Sequence, residues 1–182
     1  MAIEIERKFL VERPAELIPW ESASEVYEVV QGYLMSKDNK ILRVTKAVPI
    51  KTKPGRHLPE PHGVLCFKIG INPLKRIEIE HHISFDEAYE LLKHCEGHLI
   101  EKTRYWFNTM TEDEVDPIWE VDVFHGVNHG LIVAEVELPS ENYPIVLPPF
   151  IGQDVSNDVR YSNAMLSVVP FKEWNGKPNQ VH

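Results

Sequence analysis

Four stretches of this chain alternate carboxylate and apolar side chains with a period of two: Ile3-Glu4-Ile5-Glu6, Ile77-Glu78-Ile79-Glu80, Trp119-Glu120-Val121-Asp122-Val123 and Ala134-Glu135-Val136-Glu137-Leu138. Successive side chains on a strand point to opposite faces. Glu4, Glu6 and Lys8 therefore share one face, and Ile3, Ile5 and Phe9 the other. Isolated cations sit in similar settings: Arg43, Lys68, Arg76, Lys102 and Arg104. Carboxylates two residues apart repel each other, and a divalent cation removes that repulsion. A lysine one step further along can hold an anion that the same cation binds. One such strand is an ordinary wetted face of an antiparallel sheet. The repetition with both signs points instead to a sheet closed on itself, its charged faces lining a polar lumen.

The alternation and its breaks place strands at about 2–11, 25–36, 39–48, 63–71, 75–84, 98–110, 117–125 and 130–139. Short connections make them antiparallel, with a hairpin turn at Ser36–Asn39 and breaks at Asn72-Pro73 and Asp116-Pro117. Ser84 and Glu87 form a capping-box pattern that starts a helix. Phe85, Ala88, Leu91, Leu92 and Cys95 follow at helical spacing, and Gly97 is the expected stop. This stripe should cover the outer face of the sheet, because a lumen can be charged only if the hydrophobic core lies outside the wall. A second helix is expected over 158–168, ended by Pro170. The stretch from Pro49 to Gly63, rich in proline and basic residues, reads as irregular. The expected fold is α+β: one domain over 1–170 built on an eight-stranded antiparallel closed β-barrel, with a charged lumen and helices packed outside, then a polar tail over 171–182.

The formal net charge of −9 argues against a nucleic-acid partner held by a broad basic surface. It does not argue against a polyphosphate, because bound divalent ions offset the formal count. The apolar runs are too short to span a bilayer and the first residues lack a signal-peptide pattern. A cytoplasmic protein without a membrane partner, with Cys66 and Cys95 as free thiols, is expected. His94 and His98 are separated by Gly97, and the adjacent His81 and His82 face opposite ways, so no zinc site is expected. Glycine-rich phosphate loops and serine or cysteine nucleophile motifs are absent. No aromatic clamp for a base is assigned, since Tyr105 and Trp106 read as packing residues.

Glu4-x-Glu6-x-Lys8 is followed by Gln31-Gly32-Tyr33-Leu34, Glu101-Lys102-Thr103-Arg104-Tyr105, Glu120-Val121-Asp122-Val123-Phe124, Glu135-Val136-Glu137 and Asp158-Val159-Arg160-Tyr161-Ser162-Asn163. In this order, from Glu4 to about Pro170, the pattern resembles the CYTH superfamily, the triphosphate tunnel metalloenzymes. The spelling is most similar to the small bacterial inorganic triphosphatases. The resemblance implies hydrolysis of inorganic tripolyphosphate, or another triphosphate, to pyrophosphate and phosphate with Mg²⁺ or Mn²⁺. It implies Glu4, Glu6, Glu135 and Glu137 as metal ligands, with Glu120 and Asp122 beside them. Lys8, Arg43, Lys68, Arg76, Lys102, Arg104 and Arg160 would grip the phosphates. Lys8, Glu135 and Glu137 would serve catalysis. Within the superfamily, class IV adenylate cyclase and thiamine triphosphatase activities are the enzyme alternatives, and a non-catalytic polyphosphate or nucleotide binder is the alternative of another class. Tripolyphosphate is expected to outrun ATP, and cyclic AMP is not expected to form. The oligomeric state stays open, a homodimer included. One departure stands out: family members carry two arginines two apart on the third strand, whereas this chain has Ile41, Arg43 and Thr45.

Overall fold

In the computed structural model, which describes residues 2–11, 18–72, 74–111 and 114–175, the alternating stretches are strands. They are β1 (Ala2–Val11), β2 (Glu25–Lys37), β3 (Lys40–Lys51), β4 (His62–Gly70), β5 (Lys75–Ile83), β6 (Glu96–Thr111), β7 (Glu114–Phe124), β8 (Ile132–Glu137) and the short β9 (Ile151–Asp154). The helices are α1 (Phe85–Leu92) and α2 (Asn163–Val168). Strands run β5-β4-β3-β2-β6-β7-β8-β1, and a β1–β5 pairing closes them into an eight-stranded antiparallel barrel. β1 divides one edge between two partners: residues 2–5 pair with β5 and close the barrel, while Phe9 and Val11 pair with β9. Its other edge pairs with β8 in the register Glu6↔Glu137 and Lys8↔Glu135. Asp38 and Asn39, at φ 53° and 58°, make the two-residue turn between β2 and β3, the left-handed pair that matches hairpin twist.

Three apolar clusters hold the barrel. Outside β1, β6, β7 and β8, the residues Ile5, Phe9, Phe107, Trp119, Val121, Ala134 and Val136 pack under Ile18, Ala23 and Phe150. Outside β2, β3 and β4, Val44, Val30 and Leu65 pack against Ala88, Leu91 and Leu92 of α1. The capping box at Ser84 and Glu87 is present, with reciprocal bonds between side chain and backbone. The third cluster lies at one end of the lumen. Leu10, Ile100, Phe124 and Val133 are on the same strand faces as Lys8, Lys102, Asp122 and Glu135, and they pack against Tyr161, Leu166 and Phe171. So α1 covers the wall, while α2 and the turns beside it seal an apolar end of the barrel.

Several boundaries differ from expectation for physical reasons. α1 ends at Leu92, a turn before Gly97, because β6 already begins at Glu96 opposite Tyr33. Gly97 lies inside β6 at φ +70°, where a Cβ would come within 2.6 Å of the Ser167 carbonyl oxygen. It lets α2 dock rather than stopping α1. The expected helix over 158–168 is a 3-10 turn at Val159–Tyr161 followed by α2, with Ser162 as the cap of α2. Pairing extends β3 to Lys51 and starts β4 at His62, leaving only the middle of the 49–63 stretch irregular. Phe171, expected at the head of a polar tail, is buried in the third cluster. Residues 176–182 of that tail lie outside the described residues.

Gly63 shows how tightly α1 is seated. A Cβ there would lie 2.5 Å from the Ala88 side chain and 2.8 Å from the Ser84 carbonyl oxygen. Gly63→Ala should push α1 off β4 and cost about 2 kcal/mol. Urea unfolding measures this; an unchanged midpoint would show that the helix yields freely.

Candidate active site

The lumen contains a cavity of about 470 Å³ lined by Glu4, Glu6, Lys8, Arg43, Lys68, Arg76, Glu78, Glu80, Arg104, Glu120, Glu135 and Glu137, with Tyr33, Ile41 and residues 162–164 at one side. A second cavity of about 530 Å³ opens toward Ile3, Trp106, Pro117, Ile118 and Tyr143. Glu4, Glu6, Glu120, Glu135 and Glu137 border both. These five carboxylates form the waist where the two spaces meet.

The strand register explains why both signs interleave. Glu4 stands opposite Arg76, Lys68 opposite Glu78, Lys8 opposite Glu135 and Arg104 opposite Asp122. Arg76 donates from Nε to Glu4 at 2.7 Å and from its terminal nitrogen to Glu6. Lys8 bridges Glu6 and Glu135. Arg104 binds Glu120, Asp122 and, at 2.9 Å, Glu135. Lys68 donates to Glu78 at 2.7 Å and lies 3.5 Å from Glu4. Arg43 lies 3.5 Å from Glu80 and 3.8 Å from Glu78, and its buried Nε has no partner among the described residues.

Electrostatics separates the carboxylates into two kinds. Burial alone would raise the Glu135 carboxyl, but Lys8, Arg104 and Lys102 together hold it well below the usual range. Glu137 has no ion pair among the described residues. Burial raises it, and the nearby carboxylates Glu4, Glu78 and Glu6 raise it further. Glu120 is pushed up to about 7, chiefly by burial and then by Glu135 and Asp122, against the pull of Arg104.

The structure does not bring every expected residue to the cavity. Lys102 and Asp122 are sealed beneath it. Lys102 Nζ donates to Asp122 at 2.6 Å with neither side chain exposed, and Asp122 also accepts two bonds from Arg104. Burial, then the Arg104 charge, lowers the Lys102 ammonium. The Asp122 carboxyl would be raised by burial, yet Arg104 and Lys102 hold it low. Neither side chain has room to meet a ligand while this pair stands. Arg160 is also off the lumen: it bonds Asp158 and lies over the Tyr161 and Trp174 rings on the outer surface. Tyr33, Ser162 and Asn163 line the cavity although no periodicity marked them. Thr45, at the departure on the third strand, accepts a buried hydrogen bond from Gln31 Nε2 at 3.2 Å. Cys66 donates its thiol to Glu78, and with Glu78 and Glu80 it makes a further group close enough to share an ion. Burial pushes that thiol up to about 12.

Donor chemistry at the waist fits a hard divalent ion: the oxygens come from carboxylates, with no imidazole among the five. Glu120 offers a test of how much charge the waist tolerates without one. Its carboxyl binds a proton more tightly folded than unfolded. Its stabilising effect is therefore full below about pH 4.5 and is lost as pH rises through about 7. Glu120→Gln cannot ionise. In chelator the variant should be more stable than the parent at pH 8 by about 1–3 kcal/mol, with the advantage gone below about pH 4.5. Mg²⁺ should stabilise the parent more than the variant. Thermal unfolding at the two pH values checks this; equal curves at pH 8 would refute it.

No protein-family model matches the chain. An inorganic triphosphatase of Acetivibrio thermocellus is 35% identical over 175 residues, covering 96% of this chain and 99% of that protein. An inorganic triphosphatase of Nitrosomonas europaea is 34% identical over 97 residues, covering 52% of this chain and 62% of that one. A crystal structure of an inorganic triphosphatase superposes with a TM-score of 0.58 at 29% identity, over 92% of this chain and 96% of that one. Among the described residues no helix is long and apolar enough to cross a membrane.

Proposed function

The chain belongs to the inorganic triphosphatases of the triphosphate tunnel fold, and from that premise we propose that it hydrolyses inorganic tripolyphosphate in its lumen with the help of Mg²⁺ or Mn²⁺. The observation that supports the need for a cation is the charge of the main cavity. Seven lining carboxylates (Glu4, Glu6, Glu78, Glu80, Glu120, Glu135, Glu137) face five cations (Lys8, Arg43, Lys68, Arg76, Arg104), leaving a formal −2. A polyanion enters such a space only if positive charge enters with it. Glu4, Glu6, Glu135 and Glu137, with Glu120, are the residues that would hold the ion. When bound it neutralises phosphate oxygens and lowers the pKa of water.

The protein's own groups do the rest. Lys8, Arg43, Lys68, Arg76 and Arg104 are already held in place by carboxylates, so they exchange one set of oxygens for another without reorganising. Arginine forks suit the non-bridging phosphate oxygens, and Lys8 acts as a point charge. A water attacks the terminal phosphorus, the bridging P–O bond breaks, pyrophosphate leaves with the bond electrons, and a carboxylate accepts the water's proton. Glu137 suits that last role better than Glu135, whose charge is committed to Lys8 and Arg104. The sealed position of Lys102 and Asp122 supports a buttressing role for both: Asp122 holds Arg104 and Lys102 holds Asp122, rather than touching substrate or metal. Arg160 contributes only if the chain around Asp158 moves. A cytoplasmic location accords with the free thiols Cys66 and Cys95.

Phosphate release from tripolyphosphate, ATP and thiamine triphosphate, with Mg²⁺, Mn²⁺ or chelator, tests the proposal. Tripolyphosphate should be cleaved with either metal and not in chelator, and chromatography of the ATP reaction should show no cyclic AMP. Cyclic AMP would assign the lumen to a cyclase. Tight binding without turnover would make the protein a polyphosphate sensor.

A further inference from the structure

The two cavities that meet at the waist present different charges. The first is lined by five cations, Lys8, Arg43, Lys68, Arg76 and Arg104. The second shares Glu4, Glu6, Glu120, Glu135 and Glu137 with it, and among the described residues its wall has no lysine, arginine or histidine. Every other residue lining the second cavity is apolar or aromatic. Strand order accounts for this. On β7 the lumen face runs outward from the sealed Asp122 through Glu120 to Ile118, and on β6 from Lys102 through Arg104 to Trp106. On β8 it runs from Glu135 through Glu137, and the chain continues to Pro139. An apolar layer therefore stands outside the charged one on three neighbouring strands, and Ile118 within it is 43% exposed. The cations that bind the shared carboxylates (Lys8, Lys68, Arg76 and Arg104) all line the first cavity and none lines the second.

We infer that the second cavity is the port through which a divalent cation reaches the waist, separate from the cation-lined first cavity. The inference rests on the reading that the waist carboxylates hold such an ion. A cleft lined by one sign of charge between low-dielectric walls focuses the field and raises the local concentration of the opposite ion. Here the sign is negative and the walls are apolar. An anion entering this way meets carboxylates and hydrocarbon with no cation to receive it, whereas a metal ion meets nothing that repels it. Glu137, which has no ion pair among the described residues, faces this space. Mg²⁺ gives up its waters reluctantly and travels with several of them; a cavity of about 530 Å³ has room for the ion with that shell. The neutral side chain at 118 is then a selectivity element, since a cation at that position would close the port to metal. With two separate ways in, metal exchanges at the waist while the first cavity is occupied.

The test follows Mn²⁺ alone binding to the full chain, by stopped-flow quenching of tryptophan fluorescence, with Trp106 in the port wall as a reporter. Two variants each add one unit of positive charge: Ile118→Arg at the port, and Glu80→Gln in the first cavity, where that side chain is half exposed. At low ionic strength Ile118→Arg should lower the association rate constant about fourfold, the effect of a unit charge on a divalent ion about 10 Å away in water. Its dissociation rate should not rise. Ile118→Glu should raise association by a similar factor. Both differences should vanish near 1 M salt, where the screening length is about 3 Å. Glu80→Gln should change association much less than Ile118→Arg does. Association unmoved by both substitutions at 118, weakened binding carried by faster dissociation, or a larger fall in Glu80→Gln than in Ile118→Arg overturns the port and leaves the metal site standing. Absence of saturable Mn²⁺ binding in the parent defeats the metal reading and the port together.

Discussion

Glu6→Gln is expected to lower tripolyphosphate turnover by about 100-fold at saturating Mg²⁺, the loss that follows from removing roughly 3 kcal/mol of stabilisation from the reacting phosphate. Glu6 borders both cavities and binds Lys8 and Arg76. Its loss weakens the donor set for the cation and releases two groups whose placement the site depends on. The fold should survive, because Lys8 keeps Glu135 and Arg76 keeps Glu4. The measurement is phosphate release across a Mg²⁺ titration, with thermal unfolding alongside. Full turnover at low Mg²⁺ would remove Glu6 from the site, whereas a collapse of the thermal midpoint would make it a structural residue.

Asp122→Ala should act in the opposite sense, on stability before chemistry. Asp122 is the only carboxylate in ion-pair contact with Lys102 among the described residues, and neither side chain reaches solvent. Removing it leaves an ammonium buried without a counter-charge, a change that costs about 3–5 kcal/mol. For a chain of this size the thermal midpoint should fall by about 10 °C. Adding Lys102→Met should recover most of the loss, since a buried pair replaced by apolar groups is nearly neutral. An unchanged midpoint with lost activity would instead place Asp122 in contact with a ligand.

These two residues also mark the limit of what alternation reveals. Glu6 and Asp122 lie on strands with the same period-two pattern, and both face the lumen. The pattern states which side of the wall a residue faces and says nothing about its depth along the barrel axis. Depth depends on register between segments distant in sequence, so Lys102 and Asp122 read as site residues although packing seals them. For the same reason Leu10, Ile100, Phe124 and Val133 gave no sign that one end of the lumen is apolar. The neighbouring rings of Trp106, Tyr27, His62 and His82 come one from each of four strands, so no local window contains them. β9 is only four residues, Ile151-Gly152-Gln153-Asp154, and is a strand because the edge of β1 is free to take it. Where the signal was local it carried through: the capping box at Ser84 and Glu87, the Asp38-Asn39 turn, and the charged and apolar faces of β1, β5, β7 and β8.

The divided edge of β1 has a bearing on synthesis. This segment is translated before the rest of the barrel, yet every strand it pairs with (β5, β8 and β9) comes later, and Lys8 meets its partner Glu135 only after 127 more residues are added. At ribosomal speeds of roughly 5–20 residues per second that delay is on the order of ten seconds. Ile5 has no strand to join until β5 emerges, and Phe9 and Val11 wait longer still, for β8 and β9. The nascent chain therefore carries an unpaired apolar strand longest at the segment that bears Glu4 and Glu6 of the waist. A chaperone that shields this first segment would govern the yield of active protein more than one acting on any later strand.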